Sequence, residues 1–409
     1  MAYPYQVDPA NVIRLTSAST KNLGPGVIVY GGAYYSVYFD RVDSTIEVWR
    51  STDRGITWAE DNAAGHKLAA IGFGEYAWAE DTSGADKRIW VLWHERTTNR
   101  LAFAAFNLIT RQWGSSTTGG PLSSDYGEPF LAMSIPDLGS PSVWAFVDGP
   151  REVVGANFNF RAYYFELPIT TGIWPSPQRL NGAAGEDKCY LIQGATRAAN
   201  GNMVAFTYST GQGLSTSIQA RTVTSGGALG NWFTFHSDPG TQLLTGFGIP
   251  FVNTNGTSLA FPYTLRSGSD TIFKLATATS ALNPAWAQEA IRTEPTINVS
   301  TGNVAGVFLG TDPVIMWGYR DGAPGTIRRW YYTRRQSGVW GSAVQIYQIP
   351  NSLYLTGIVS MHPVTGGMGA VFEYGNTPPA NPMAPWYWEQ RTGGNLNSLL
   401  GAMRSPKIA

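Results

Sequence analysis

The chain is poor in the residues that most chemistries need. Its one cysteine, Cys189, allows no disulfide framework and no cysteine-based zinc site. Cys189 sits in the apolar run Cys-Tyr-Leu-Ile and reads as a buried core thiol. The four histidines, His66, His94, His236 and His362, are scattered, with no H-x-H or H-x-x-x-H pair. No metal and no cofactor are therefore expected. Charged residues make up only 14%, and 28 Lys+Arg balance 28 Asp+Glu, so no basic field draws nucleic acid. No stretch approaches the ~18 apolar residues of a membrane span, and no membrane insertion is expected. The N-terminal Met-Ala-Tyr-Pro-Tyr-Gln-Val-Asp has neither the basic nor the apolar region of a secretory leader. The expectation is a protein made in the cytoplasm. Phosphate-binding glycine loops and G-x-S-x-G elbows are also missing.

What is present is turn chemistry and aromatic mass. Gly 47 and Pro 25 accompany 43% hydrophobic and 13% aromatic residues, a mix that favours many short strands over helices. Tryptophan recurs after a strand-like run and a polar turn, at Trp58, Trp113, Trp174, Trp232, Trp286 and Trp340, 54 to 61 residues apart. Two earlier strand-like runs precede each, such as Val27–Tyr30 with Tyr34–Phe39, and Ile297–Gly302 with Pro313–Tyr319. The strand after the tryptophan makes four per unit. A seventh unit, ending in Trp386-Tyr387-Trp388-Glu389-Gln390, stops before its outer strand. Units of this length with four antiparallel strands predict an all-β, seven-bladed β-propeller, with six blades as the alternative. Residues 11–16, Asn-Val-Ile-Arg-Leu-Thr, are expected to supply the missing outer strand and close the ring, because an open edge is a liability. The expected organisation is an arm over 1–10, one propeller domain over 11–391, and a second arm over 392–409.

The first turn carries a resemblance. Ser51-Thr52-Asp53-Arg54-Gly55-Ile56-Thr57-Trp58 reads S-x-D-x-G-x-T-W and resembles the Asp box, or BNR repeat, of sialidase-like β-propellers. The physics is legible: Asp53 accepts from turn N–H groups, Gly55 takes a positive φ, and Trp58 buries its ring. Ser51, Asp53, Gly55, Thr57 and Trp58 are thus structural residues. The enzymes' Arg-Ile-Pro motif is absent. The resemblance therefore implies a non-catalytic member, with a sialidase-like glycoside hydrolase as the alternative.

Blade topology places the Asp-box turn on one face and the second-to-third loops on the other. On that second face Arg41, Arg96, Arg266 and Arg320 lie at or just beyond the ends of second strands, and Glu75 and Glu128 open inner strands. One reading is a polar funnel gripping an anionic or polyhydroxylated ligand. The other is solvated strand ends whose charges pair with each other. Glu75 and Glu128 are the carboxylates to test for glycoside hydrolysis, which uses two.

A looser resemblance is to fucose-binding propeller lectins, carried best by Arg328-Arg329-Trp330-Tyr331-Tyr332 and Gly338-Val339-Trp340-Gly341. It implies carbohydrate sites between blades, with Trp330 and Tyr332 either at a sugar or in core packing. The combined expectation is a non-enzymatic attachment or assembly module. A bacteriophage virion-surface or tail-associated protein fits, its arms docking on other virion proteins and its face on cell-surface glycan.

Overall fold

The computed structural model describes residues 5–6, 12–13, 26–40, 44–55, 57–61, 67–69, 73–81, 87–95, 97–121, 131–135, 142–154, 157–168, 174–180, 189–198, 201–211, 214–224, 226–237, 242–279, 283–294, 304–321, 327–350, 353–364, 367–376 and 384–391. Within them the chain is all-β, built of antiparallel sheets without an α-helix. None of the described residues forms a helix long and apolar enough to cross a membrane.

The strands fall into seven sheets, each running from an inner to an outer strand. Sheet 1 contains Ile28–Tyr30, Ala33–Asp40, Thr45–Ser51 and, at its outer edge, Ala59–Glu60 with Leu68–Ala69. Sheet 2 contains Phe73–Asp81, Arg88–Glu95, Arg100–Asn107 and Gln112–Trp113 with Thr117–Pro121. Sheet 3 contains Leu131–Ser134, Ser142–Val154, Asn157–Pro168 and Gln178–Arg179. Sheet 4 contains Cys189–Arg197, Met203–Gly211, Leu214–Val223 and Phe233–Ser237. Sheet 5 contains Gln242–Phe247 with Phe251–Val252, then Ser258–Ser267, Asp270–Thr279 and Ala287–Glu294. Sheet 6 contains Val304–Leu309, Asp312–Asp321, Ile327–Gln336 and Val339–Trp340 with Val344–Pro350. Sheet 7 contains Leu353–Val364, Gly367–Asn376, Ala384–Arg391 and Tyr5–Gln6.

Local chemistry explains the hairpins. Tyr30 pairs with Ala33 across Gly31-Gly32, whose φ of 58° and 77° suit the two-residue turn that matches strand twist. Burial falls from inside to outside. The second strand of sheet 2 is buried along its middle six residues, whereas the outer strand of sheet 5 is mostly exposed. Second strands lie sandwiched between neighbouring sheets, so both faces are apolar, as in Ile89–Trp93.

Packing joins consecutive sheets. Tyr76 Oη donates to the Val37 carbonyl, tying sheet 2 to sheet 1. Ile192 N–H donates to Asp148 Oδ1 at 2.5 Å, tying sheet 4 to sheet 3. The tryptophans reach backwards. Trp174 meets Phe103 of sheet 2 edge-on at 5.4 Å, and Trp286 meets Phe235 of sheet 4 edge-on at 4.9 Å. Trp340 joins a cluster with Phe273 and Leu275 of sheet 5. Trp58 packs on a cluster that includes Val364 of sheet 7. Near the centre the approach is closer still. A Cβ on Gly248 would strike the Val304 carbonyl oxygen, and one on Gly306 would strike the Phe251 ring.

Two expectations change. Within 11–16, Val12–Ile13 do not supply the outer strand of the last sheet but pair with Phe39 and Asp40 on the inner edge of sheet 1, and the other residues of that stretch lie outside the described ones. Tyr5–Gln6 pair instead with Trp386 and Tyr387, inside the segment expected to be an arm. The chain repeats there the outer-to-inner crossing it makes between other sheets. The inner strand of sheet 6 is Val304–Leu309, with Ile297–Gly302 outside the described residues. Residues 392–409 also lie outside them.

The contact between Gly248 and Val304 is backbone against Cα, and a carbonyl cannot rotate away as a side chain can. Gly248→Ala is expected to lower stability by about 1–3 kcal/mol, read as a lower urea midpoint with an unchanged slope.

Candidate functional site

The turn between the third and outer strands of sheet 1 is a closed hydrogen-bond set. Ser51 Oγ donates to Asp53 Oδ1 at 2.7 Å and accepts from Gly55 N–H at 2.7 Å. Thr57 donates twice to Asp53, from N–H to Oδ1 at 2.8 Å and from Oγ1 to Oδ2 at 2.5 Å. Arg54 and Gly55 take φ of 66° and 83°, and Trp58 Nε1 donates to the Gly55 carbonyl at 3.0 Å. Burial alone would raise the Asp53 carboxyl, but the bonds from Thr57 and Ser51 outweigh it and hold it below 3.8. Both carboxylate oxygens are occupied within the turn, so the group acts as a clasp.

Of the residues expected to form a funnel, Glu75, Arg266 and Arg320 lie among the described residues. Arg41, Arg96 and Glu128 lie outside them. Glu75 is in the inner strand of sheet 2, within the bulge between Phe73 and Tyr76. Arg320 sits opposite Arg328 in sheet 6. Arg266 is exposed and its Nε donates to the Gly268 carbonyl at 3.0 Å, folding back on its own hairpin. His94 is buried with Nε2 2.9 Å from Asn99 Oδ1. Among the described residues no group of three His, Cys, Asp or Glu could hold a metal ion.

Two hollows are lined by described residues. The first, about 260 Å³, lies at the boundary of sheets 6 and 7. Tyr332, Arg334, Gln336 and Ser342 contribute its polar rim, while Leu309, Val314 and Met368 contribute apolar surface. Arg334 Nη2 donates to Asp312 Oδ2 at 2.9 Å, which fixes the guanidinium. Ser342 follows Gly341, whose carbonyl accepts from Thr333 Oγ1 at 2.8 Å and whose N–H donates to the Arg334 carbonyl at 3.0 Å. Of the two aromatic candidates in this unit, Trp330 is only 1% exposed and packs with Met361, Met368 and Ala370 of sheet 7. Tyr332 is half-buried and lines the hollow. The sequence string points to Tyr332 but not to Met368 or Leu309, which join it only through the packing of separate units.

The second hollow, about 440 Å³, is lined by inner strands of all seven sheets. It lies between their hinge-proximal halves, at the end of the sheets where the Ser51–Trp58 turn also sits. Nothing in one sequence announces such a convergence, because inner strands read simply as apolar runs.

No family model matches the chain, and no curated protein matches it in sequence. Solved structures with a similar course of the chain include a fucose-specific lectin from Aleuria aurantia, with 12% identity and a TM-score of 0.44, covering 84% of this chain and 98% of the lectin. A Penicillium chrysogenum α-L-arabinanase complexed with arabinobiose has 10% identity and a TM-score of 0.45, covering 95% of this chain and 99% of the arabinanase. A Hadza microbial sialidase has 10% identity and a TM-score of 0.47, covering 87% of this chain and 73% of the sialidase. At these scores the likenesses assign no chemistry to this chain.

The Asp53 clasp has a pH signature. A carboxyl held below its ordinary value adds stability that is present above about 3.8 and lost as the pH falls through the folded value. Asp53→Asn is expected to melt below wild type at pH 7, and the difference is expected to shrink as the pH drops below about 3.8, as followed by thermal melts across pH.

Proposed function

We propose that the chain is a seven-bladed β-propeller of the sialidase-like type that works without catalysis, as an attachment or assembly module whose ligand is glycan. The observation that carries this reading is the hollow between sheets 6 and 7. It joins an aromatic wall at Tyr332, a guanidinium held by Asp312, an amide at Gln336 and a hydroxyl at Ser342 to an apolar floor. A sugar ring presents the same mixture, an apolar C–H face and a rim of hydroxyls, and small-ligand sites pair apolar walls with a few placed polar groups. The volume suits one monosaccharide unit. A virion-surface protein would use such a hollow to hold host glycan, which is the setting we infer.

The antiparallel pairing of Tyr5–Gln6 with Trp386 and Tyr387 supports closure of the ring, since it covers the last sheet with the beginning of the chain. Deleting residues 1–6 is expected to lower the melting temperature and to promote association through the uncovered Ala384–Arg391 edge, read by light scattering. A deletion variant with unchanged melting and dispersity would count against closure.

Glycan binding is tested by array screening followed by calorimetry on the best monosaccharide. Tyr332→Ala is expected to weaken binding at least tenfold, about 1.4 kcal/mol, and Tyr332→Phe to keep most of it. Arg334→Met is expected to lose affinity as well. Absence of any array signal, or turnover of the bound glycoside, would sink the reading.

A further inference from the structure

The hairpin between Phe251–Val252 and Ser258–Ser267 of sheet 5 takes no part in that reading. Its tip is Asn253-Thr254-Asn255-Gly256-Thr257, in which Thr254, Asn255 and Thr257 are exposed. An Asn-Gly pair sets a side-chain carbonyl carbon within ring-closing reach of the next backbone nitrogen. Attack by that nitrogen is intramolecular, and glycine has no side chain to obstruct the approach.

What distinguishes this pair is how the turn treats the side-chain amide oxygen. Asn255 Oδ1 accepts twice from Thr257, from Oγ1 at 2.6 Å and from N–H at 3.2 Å. Thr257 Oγ1 in turn accepts from Asn253 Nδ2 at 3.2 Å. Donors run in series from Asn253 through Thr257 to Asn255, and each polarises the next. When a nitrogen adds to Cγ, negative charge gathers on Oδ1, where two donors already point. Donors placed where charge develops lower the barrier. The chain's other Asn-Gly pairs, Asn181-Gly182 and Asn200-Gly201, are followed by Ala183 and Asn202 and have no hydroxyl at that position.

One bond opposes the attack: Gly256 N–H donates to the Asn253 carbonyl at 2.9 Å. A single bond at a hairpin tip opens at far lower cost than the core. Asn253 stays in place when it opens, because its N–H donates to the Ser258 carbonyl at 3.0 Å and its Oδ1 accepts from Ser258 N–H at 2.9 Å.

We infer that Asn255 is a site of spontaneous deamidation promoted by the Thr257 donors. The Gly256 nitrogen bonds to Asn255 Cγ, the bond from Cγ to Nδ2 breaks, and ammonia leaves with the proton of the Gly256 amide. Water then opens the cyclic imide at either carbonyl, giving aspartate or isoaspartate. Either product adds a negative charge to the tip. Isoaspartate also adds a methylene to the main chain, one residue from Thr254, which lines the central hollow.

The test is peptide mapping by mass spectrometry of the full chain, incubated folded in mildly alkaline buffer and, in parallel, unfolded in urea. Wild type, Thr257→Val and Thr257→Ser are compared. Folded wild type is expected to accumulate aspartate and isoaspartate at Asn255. Thr257→Val keeps the shape and the N–H but loses the hydroxyl, and is expected to convert more slowly by roughly threefold or more, far less than a buried donor would cost. Thr257→Ser keeps the hydroxyl and is expected to stay near the wild-type rate. In urea all three are expected to convert alike. Asn255 staying intact in folded wild type while converting in urea would overturn the inference, because the bond from Gly256 to Asn253 would then protect the pair; this arm needs no variant. Equal rates in folded wild type and folded Thr257→Val would overturn it too, by leaving only the ordinary reactivity of Asn-Gly. Neither outcome depends on whether the chain binds glycan.

Discussion

Everything in this molecule depends on how closely sheets can approach at the centre. Sheets arranged side by side about a common line are crowded inside and splayed outside. Where Gly248 lies against the Val304 carbonyl and Gly306 against the Phe251 ring, even a methyl has no room. Some buried inner-strand positions accordingly carry small residues, such as Ala77, Ala132 and Ala305. Outside, the same wedge opens a gap that only large side chains fill to native density. The recurrent tryptophans do this, and they reach to the preceding sheet, as Trp174 and Trp286 show.

The same requirement decides which features are legible in the sequence. The tryptophans announce themselves because the rim needs one per unit at a constant place, after the third strand. The turn at Ser51–Trp58 is readable for a similar reason: its side chains bond within eight residues, so its physics is local. The inner strand of sheet 6 escapes a local reading because Val304–Leu309 carries Gly306, a poor strand former by propensity. Its place is decided by the Phe251 ring it must touch, a partner more than fifty residues away. The N-terminal strands escape it for the complementary reason. A two-residue strand such as Tyr5–Gln6 has no periodicity to find, and only the edge at Trp386 and Tyr387 defines it.

The candidate sites are less legible than the fold, and the cause is again contact between units. Tyr332 stands in a string that draws notice, but its companion Met368 comes from the next sheet. The central hollow takes its wall from seven places in the chain. Among the charges that look most like a site in the sequence, Arg266 bonds to its own turn.

Several charges among the described residues are spent between strands and sheets. Asp61, fully buried at its side chain, is met by Arg111 from the turn of sheet 2. That contact holds the Arg111 guanidinium above its ordinary value, against the opposing effect of burial. Arg335 of sheet 6 reaches Glu289 of sheet 5 at 3.4 Å, and Lys67 bonds to the buried Glu47 at 2.9 Å. A pair with both partners in part open to solvent, such as Arg335 with Glu289, adds little stability by itself. A buried carboxylate such as Asp61 differs, because losing its partner leaves a charge out of water. Its contact with Arg111 therefore fixes the relation of two sheets more firmly than a surface pair would.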